Sequence, residues 1–258
     1  MTPRRLRRLR WAAPLVALAL LALWELAARR SWIPTLFYPA PTVILGAVAQ
    51  LVASGELAQH LAATLGRMAA AFVWGGGSGL VLGLALGWWP SLRAVVDPFV
   101  SALHPVPRMA LLPLVLLLFG ISFFSKTLVV AIATFFPMVI NTMSGVLQLD
   151  PNYHDVARLY RASRWRVFAR VVLPGSLPMI LTGARLALVR ALGATIGLEL
   201  ITAESGLGSL LYFAWQTYRT EALFATVFVI AALGYGFRAV LDALATRLVP
   251  WQGDRRQR

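Results

Sequence analysis

The sequence predicts an all-α polytopic membrane protein of about six transmembrane helices, and three observations carry that prediction. Of 258 residues, 59% are hydrophobic and only 13% charged, where an ordinary soluble domain carries about 25% charged residues. One soluble core could not hide that much apolar surface. The mean hydropathy of +0.72 makes lipid the solvent for most of the chain. The 24 Lys and Arg, against 10 Asp and Glu, sit in short segments between apolar runs, which is the positive-inside pattern and not a basic face for nucleic acid. A secreted or cytosolic enzyme is excluded. Without any Cys, disulfide frameworks, thiolate metal sites and Cys nucleophiles are excluded as well.

Runs able to cross about 30 Å of hydrocarbon lie at approximately 11–28, 66–89, 103–121, 127–147, 177–202 and 222–248. The third is the weakest, because only 17 charge-free residues separate Arg108 from Lys126 and Pro105, Pro107 and Pro113 interrupt its start. It is expected to begin tilted or broken. An even number of spans puts both termini on one side. That side would hold 15 Lys and Arg (in 4–10, at Arg93 and Arg108, in 158–170 and in 255–258) against 4 on the other, Arg29, Arg30, Lys126 and Arg219. Both ends are therefore expected in the cytoplasm, with Arg29 and Arg30 running against the rule. A cleaved signal peptide is the alternative for the first run, but Trp24 and Glu25 stand where cleavage sites prefer small neutral residues.

Residues 29–60, with Tyr38-Pro39-Ala40-Pro41 and an apolar helical stretch from Val43 to Val52, read as an external connector. The chain thus divides into 1–60 (tail, first span and connector), a helical core over 61–250, and a basic tail over 251–258. Within the second run Gly75, Gly79, Gly83 and Gly87 recur every four residues and share one helical stripe. Such a stripe lets a neighbouring backbone approach closely in lipid, where no hydrophobic force drives helices together.

Catalytic chemistry is not found. Gly120-Ile121-Ser122-Phe123-Phe124-Ser125-Lys126-Thr127 comes near a P-loop, but Ser125 replaces the essential glycine and two Phe fill the loop. His60, His104 and His154 are isolated, which gives no metal-ligand spacing. No Gly-x-Ser-x-Gly motif and no intramembrane Asp pair supports an enzyme. Glu199 is the one good candidate for an ion-coupling acid, as an ion-coupled secondary transporter would require. Arg185 and Arg190, in the same run, are candidates for a translocation pathway or for pairing with acids on other spans.

The segment 151–170 is the most informative. Pro151 suits a helix start, Asp155 the first turn, and arginines the later positions, so a short helical hairpin is expected. Leu159, Tyr160, Trp165, Val167 and Phe168 would be exposed on it, and a half-apolar element of this kind lies in the interface or docks into a soluble partner.

Here the chain resembles the permease subunits of bacterial ATP-binding-cassette importers, in the nitrate, sulfonate, taurine and bicarbonate group. That family's cytoplasmic signature is Glu-Ala-Ala, three residues, Gly, nine residues, Ile-x-Leu-Pro. The corresponding residues are Asp155-Val156-Ala157, Arg161 and Val171-Val172-Leu173-Pro174, at the same spacing. The likeness continues through Pro105-Val106-Pro107-Arg108, Phe119-Gly120-Ile121, Gly183-Ala184-Arg185 and Gly206-Leu207-Gly208. It implies a type I importer permease fold in the bacterial inner membrane, with a coupling loop at 151–176. Asp155, Val156, Ala157, Arg161, Ala162, Val171, Leu173 and Pro174 would then contact two separate ATPase subunits, which bind the ATP and Mg. The permease itself would carry no cofactor. A second permease copy, most simply identical, would complete the pore, and an external binding protein would deliver a small anion such as a sulfonate, taurine or nitrate. Arg161 departs from the family's glycine. It is expected either to keep the backbone right-handed and project toward an acid of the ATPase or a lipid phosphate, or to mark lost docking; the intact spacing favours retained docking.

Overall fold

The computed structural model describes residues 3–250 apart from 151 and 154–158, with side chains described at 12 and from 14 onward. Asp155, Val156 and Ala157 lie outside the described residues. The elements are α1 (Pro3–Arg29), α2 (Pro41–Ala53), α3 (Glu56–Trp88), α4 (Pro90–Leu103), α5 (Leu112–Phe119), α6 (Phe123–Leu147), α7 (Arg164–Thr202), α8 (Leu207–Gln216) and α9 (Thr220–Leu248). Among the described residues, α3, α6, α7 and α9 are each long and apolar enough to cross a membrane. The run expected at 11–28 is helical within α1, which touches α9 through Trp24 and Phe224, ring centroids 5.8 Å apart.

The glycine stripe sets the arrangement. A Cβ at Gly79 would lie 2.6 Å from the Phe135 carbonyl oxygen, one at Gly83 2.7 Å from that of Val139, and one at Gly87 2.5 Å from the Val146 Cβ, while Gly75 sits against Ala131. The partners rise in number with the glycines, so α3 and α6 are parallel. Two parallel neighbours need a return crossing between them, and only residues 89–122 are available for it.

That return is not a single helix over 103–121. Pro90–Leu103 and Arg108–Phe119 meet at 87°, and α5, with 8 residues, is about 12 Å long and could not cross alone. Val100 of α4 packs with Leu86, Phe136 and Val139 in the half of the bundle nearer Trp88. Leu112 and Val115 of α5 pack with Val129 and Leu198 in the other half. Together α4 and α5 retrace the length of α6. Pro105 and Pro107 break the helix because each lacks an N–H and restricts the residue before it, so the break the prolines predict falls at mid-depth and not at the start of a span.

The near-P-loop segment is a helix start. Ser122 Oγ accepts from the Ser125 N–H (3.2 Å) while the Ser122 N–H donates to Ser125 Oγ (3.0 Å), a reciprocal cap of α6. Gly120, at φ +67°, makes the turn into it.

The second half of the expected hairpin also differs. Ser163 caps a helix that starts at Arg164 and runs on through a π-helical stretch, Phe168–Val172, into the span ending at Thr202. A π turn takes up the clash that Pro174 would impose on the carbonyl four residues earlier. Val167 and Val172 are buried against Val146, so Val167 is an anchor where exposure was expected, and Phe168 is half-buried, stacked on Trp165 and edge-on to Trp88. The right-handed backbone considered for Arg161 is not what forms: its φ is +48°, so arginine occupies the left-handed turn that glycine would adopt more easily.

Candidate functional site

Among the described residues, three places stand out as candidate sites. The first is a cavity of about 480 Å³ at the bend of the broken span. It is lined by Trp74 and Ser78 of α3, Leu103 of α4, Val106, Arg108 and Leu111 of the bend, and Phe135 and Phe136 of α6, among others. Arg108 is its cationic lining residue. Its guanidinium lies over the Phe136 ring, 5.8 Å from the centroid, and Nη2 donates to the His104 carbonyl (2.7 Å). Its Nε is buried without a partner. Arg190, exposed on α7, interacts electrostatically with both Arg108 and His104. Among the described residues neither arginine has a carboxylate partner. Arg185, by contrast, forms an ion pair with Asp242 of α9.

The second place is a closed network at the end of the bundle near Thr202. Glu199, fully buried, forms an ion pair with the buried Arg67 of α3. Its oxygens also accept from Thr64 Oγ1 (2.9 and 3.0 Å) and from the Gly208 N–H (3.0 Å) at the start of α8. Arg67 donates on to the Ser205 carbonyl (3.0 Å), and the Gly206 N–H donates to His60 Nδ1 (3.1 Å). Gly206, at φ +110°, lies directly against the Glu199 carboxylate, and a Cβ at Gly208 would strike α7. Gly206-Leu207-Gly208 is therefore the cradle of this carboxylate, at the positive end of a helix dipole. Lys126 is buried beside it and pairs with Glu204. Glu199 does not line the cavity. The ion-coupled alternative finds no support in an acid so fully tied. Thr64 and Arg67 are the residues that sequence reasoning missed, since only the tertiary contact reveals why a lone Arg begins an apolar run.

The third place is the surface at the opposite end. Leu159, Tyr160 and Trp165 are 82%, 79% and 74% exposed. Arg161 and Leu173 are exposed beside them, whereas Ala162, Val171 and Pro174 are half-buried. The apolar half of the signature thus divides into residues anchoring the turn and residues left open.

Residues 79–253 match the family described as the binding-protein-dependent transport system inner membrane component. The chain is 35% identical to the taurine transport system permease protein TauC of Escherichia coli (strain K12), over 96% of this chain and 95% of that one. It is 37% identical to the putative aliphatic sulfonates transport permease protein SsuC of the same organism, over 90% and 89%. It is 30% identical to the riboflavin transport system permease protein RibX of Chloroflexus aurantiacus (strain ATCC 29366 / DSM 635 / J-10-fl), over 97% and 95%. Among solved structures, an inward-facing chain of the MetNI methionine ABC transporter superposes with TM-score 0.61 at 18% identity, covering 72% of this chain and 91% of that one, which shows a shared fold. With most of its length matched on both grounds, the chain belongs to the binding-protein-dependent inner membrane components and is a non-catalytic permease subunit of an ATP-binding-cassette importer.

Proposed function

We propose that this permease carries a small organic sulfonate of the taurine type across the inner membrane. A binding protein delivers the sulfonate from outside, and ATP hydrolysed by two subunits docked on residues 151–176 drives the step. Two copies of the chain enclose the path, lipid covers the remaining apolar faces, and both termini face the cytoplasm. The observation that carries the substrate is the 35% identity to a taurine permease across 96% of the chain. The docking assignment is supported by the exposed Leu159, Tyr160 and Trp165 beside Arg161, on the Arg-rich side. ATP and Mg belong to the partner, because no nucleotide-binding sequence exists in this chain.

The test is reconstitution of the permease with its ATPase and binding protein in liposomes. Labelled taurine or ethanesulfonate should enter only when ATP is supplied on the ATPase side, and the permease alone should move neither. Uptake driven by an ion gradient without ATP would overturn the reading.

A further inference from the structure

We infer that Arg108, with the charge of Arg190 adding to its field, forms an anion-binding station at the bend of the broken span, where the transported sulfonate group pauses on its way through. The inference deepens the proposed function and rests on its sulfonate substrate.

The argument begins with charge. An arginine at mid-depth in a membrane protein faces a cavity or pairs with an acid. Elsewhere in this chain the intramembrane arginines pair: Arg67 with Glu199 and Arg185 with Asp242. Arg108 and Arg190 break that pattern. They have no carboxylate among the described residues, and the charge of Arg190 acts unfavourably on that of Arg108. An uncompensated charge at such depth is costly, and an anion held by Arg108 would compensate it and be attracted by Arg190 as well.

Geometry supplies the rest. Arg108 lines the cavity of about 480 Å³, within the size range of small-molecule sites. Its Nη2 is held by the His104 carbonyl and its plane by Phe136, so the side chain is fixed in place while the buried Nε keeps a donor unused. A sulfonate offers three acceptor oxygens, which suits guanidinium donors in a fork. The apolar remainder of the wall, with Trp74, Leu103, Val106 and Phe135, suits the short carbon chain of an alkanesulfonate. The prolines that break the return span thereby acquire a role: a straight helix would fill the space that the 87° bend leaves open.

The test uses the complete reconstituted transporter with labelled taurine and ethanesulfonate. Arg108→Gln should lower ATP-driven uptake at least about tenfold, the order expected for a lost charge-assisted hydrogen bond, and Arg190→Gln, which removes only a nearby charge, should lower it by a smaller factor. Arg108→Lys and Arg190→Lys, which restore charge without the fork, should recover part of it. Arg219→Gln, which removes an exposed charge at the start of α9, serves as the control and should leave uptake unchanged. The amount of ATPase that co-purifies with each variant reports folding and assembly. Gln variants that assemble and transport like wild type overturn the station while the sulfonate reading stands. Gln and Lys variants that fail alike, in an assembled complex, also overturn it, because packing and not charge would then be at work. A wild-type complex that moves neither sulfonate overturns the substrate reading, and this inference with it.

Discussion

Arg161 shows how the backbone conformation of a single position escapes a reading of the sequence. Its substitution for glycine suggested a right-handed turn, yet its φ is +48°. A left-handed L-residue costs about 1–2 kcal/mol, and glycine would remove that cost while giving back roughly 0.5–1 kcal/mol of chain entropy. Arg161→Gly should therefore raise the stability of the purified complex by up to about 1 kcal/mol without loss of ATPase co-purification, which a thermal unfolding midpoint would register. Glu199 makes the opposite case. Because its carboxylate is fully buried against Arg67, Thr64 and the Gly208 N–H, Glu199→Gln should destabilise by about 3–5 kcal/mol through the stranded Arg67 charge. Adding Arg67→Met should recover much of that loss, since the unpaired cation is then gone. A Glu199→Gln protein of unchanged stability would show that the pair is not the tie described.

At the scale of elements, helix seams and breaks set the packing. Gly79 stands where a Cβ would lie 2.6 Å from the Phe135 carbonyl oxygen, whereas Gly77, on the same helix, has nothing within 4 Å. Gly79→Leu should cost at least about 1–3 kcal/mol by overpacking, seen as a lower unfolding midpoint and yield, and Gly77→Leu should be nearly silent. The four-residue repeat made this stripe legible, because periodicity is a local property. Its partner was not: that α6 lies parallel to α3 follows only from the pairing of particular residues, such as Gly87 with Val146. The break at 104–107 was likewise announced by Pro105 and Pro107, but its placement at mid-depth depends on which halves of α6 receive Val100 and Leu112.

For the whole molecule, topology follows from counting spans. α1, α3, the bent pair α4 with α5, α6, α7 and α9 make an even set if α1 crosses, so reporter fusions at Gln252 and within 151–170 should both report cytoplasm. Arg29, which runs against the charge rule, is already neutralised, because its Nε bonds Glu25 at 2.5 Å and Glu25 also accepts from the Thr42 N–H at 3.0 Å. The tie fixes α1 to the start of α2. An external signal from either fusion would overturn the orientation and the docking surface with it.

The sequence by itself determined the solvent, the helical class, the glycine seam and the spacing of the family signature between Asp155 and Pro174. Each of these is written in composition or in residues a few positions apart, where hydropathy and helical periodicity act. The tertiary structure decided which charges are spent and which are free. Arg67, Arg185, Arg108 and Arg190 look alike along the chain, each a lone cation in or beside an apolar run. Arg67 meets Glu199 across 132 residues and Arg185 meets Asp242 across 57, while Arg108 and Arg190 meet no carboxylate among the described residues. Coulomb energy depends on distance in space, and no spacing along the chain reveals which partner a fold will bring within reach.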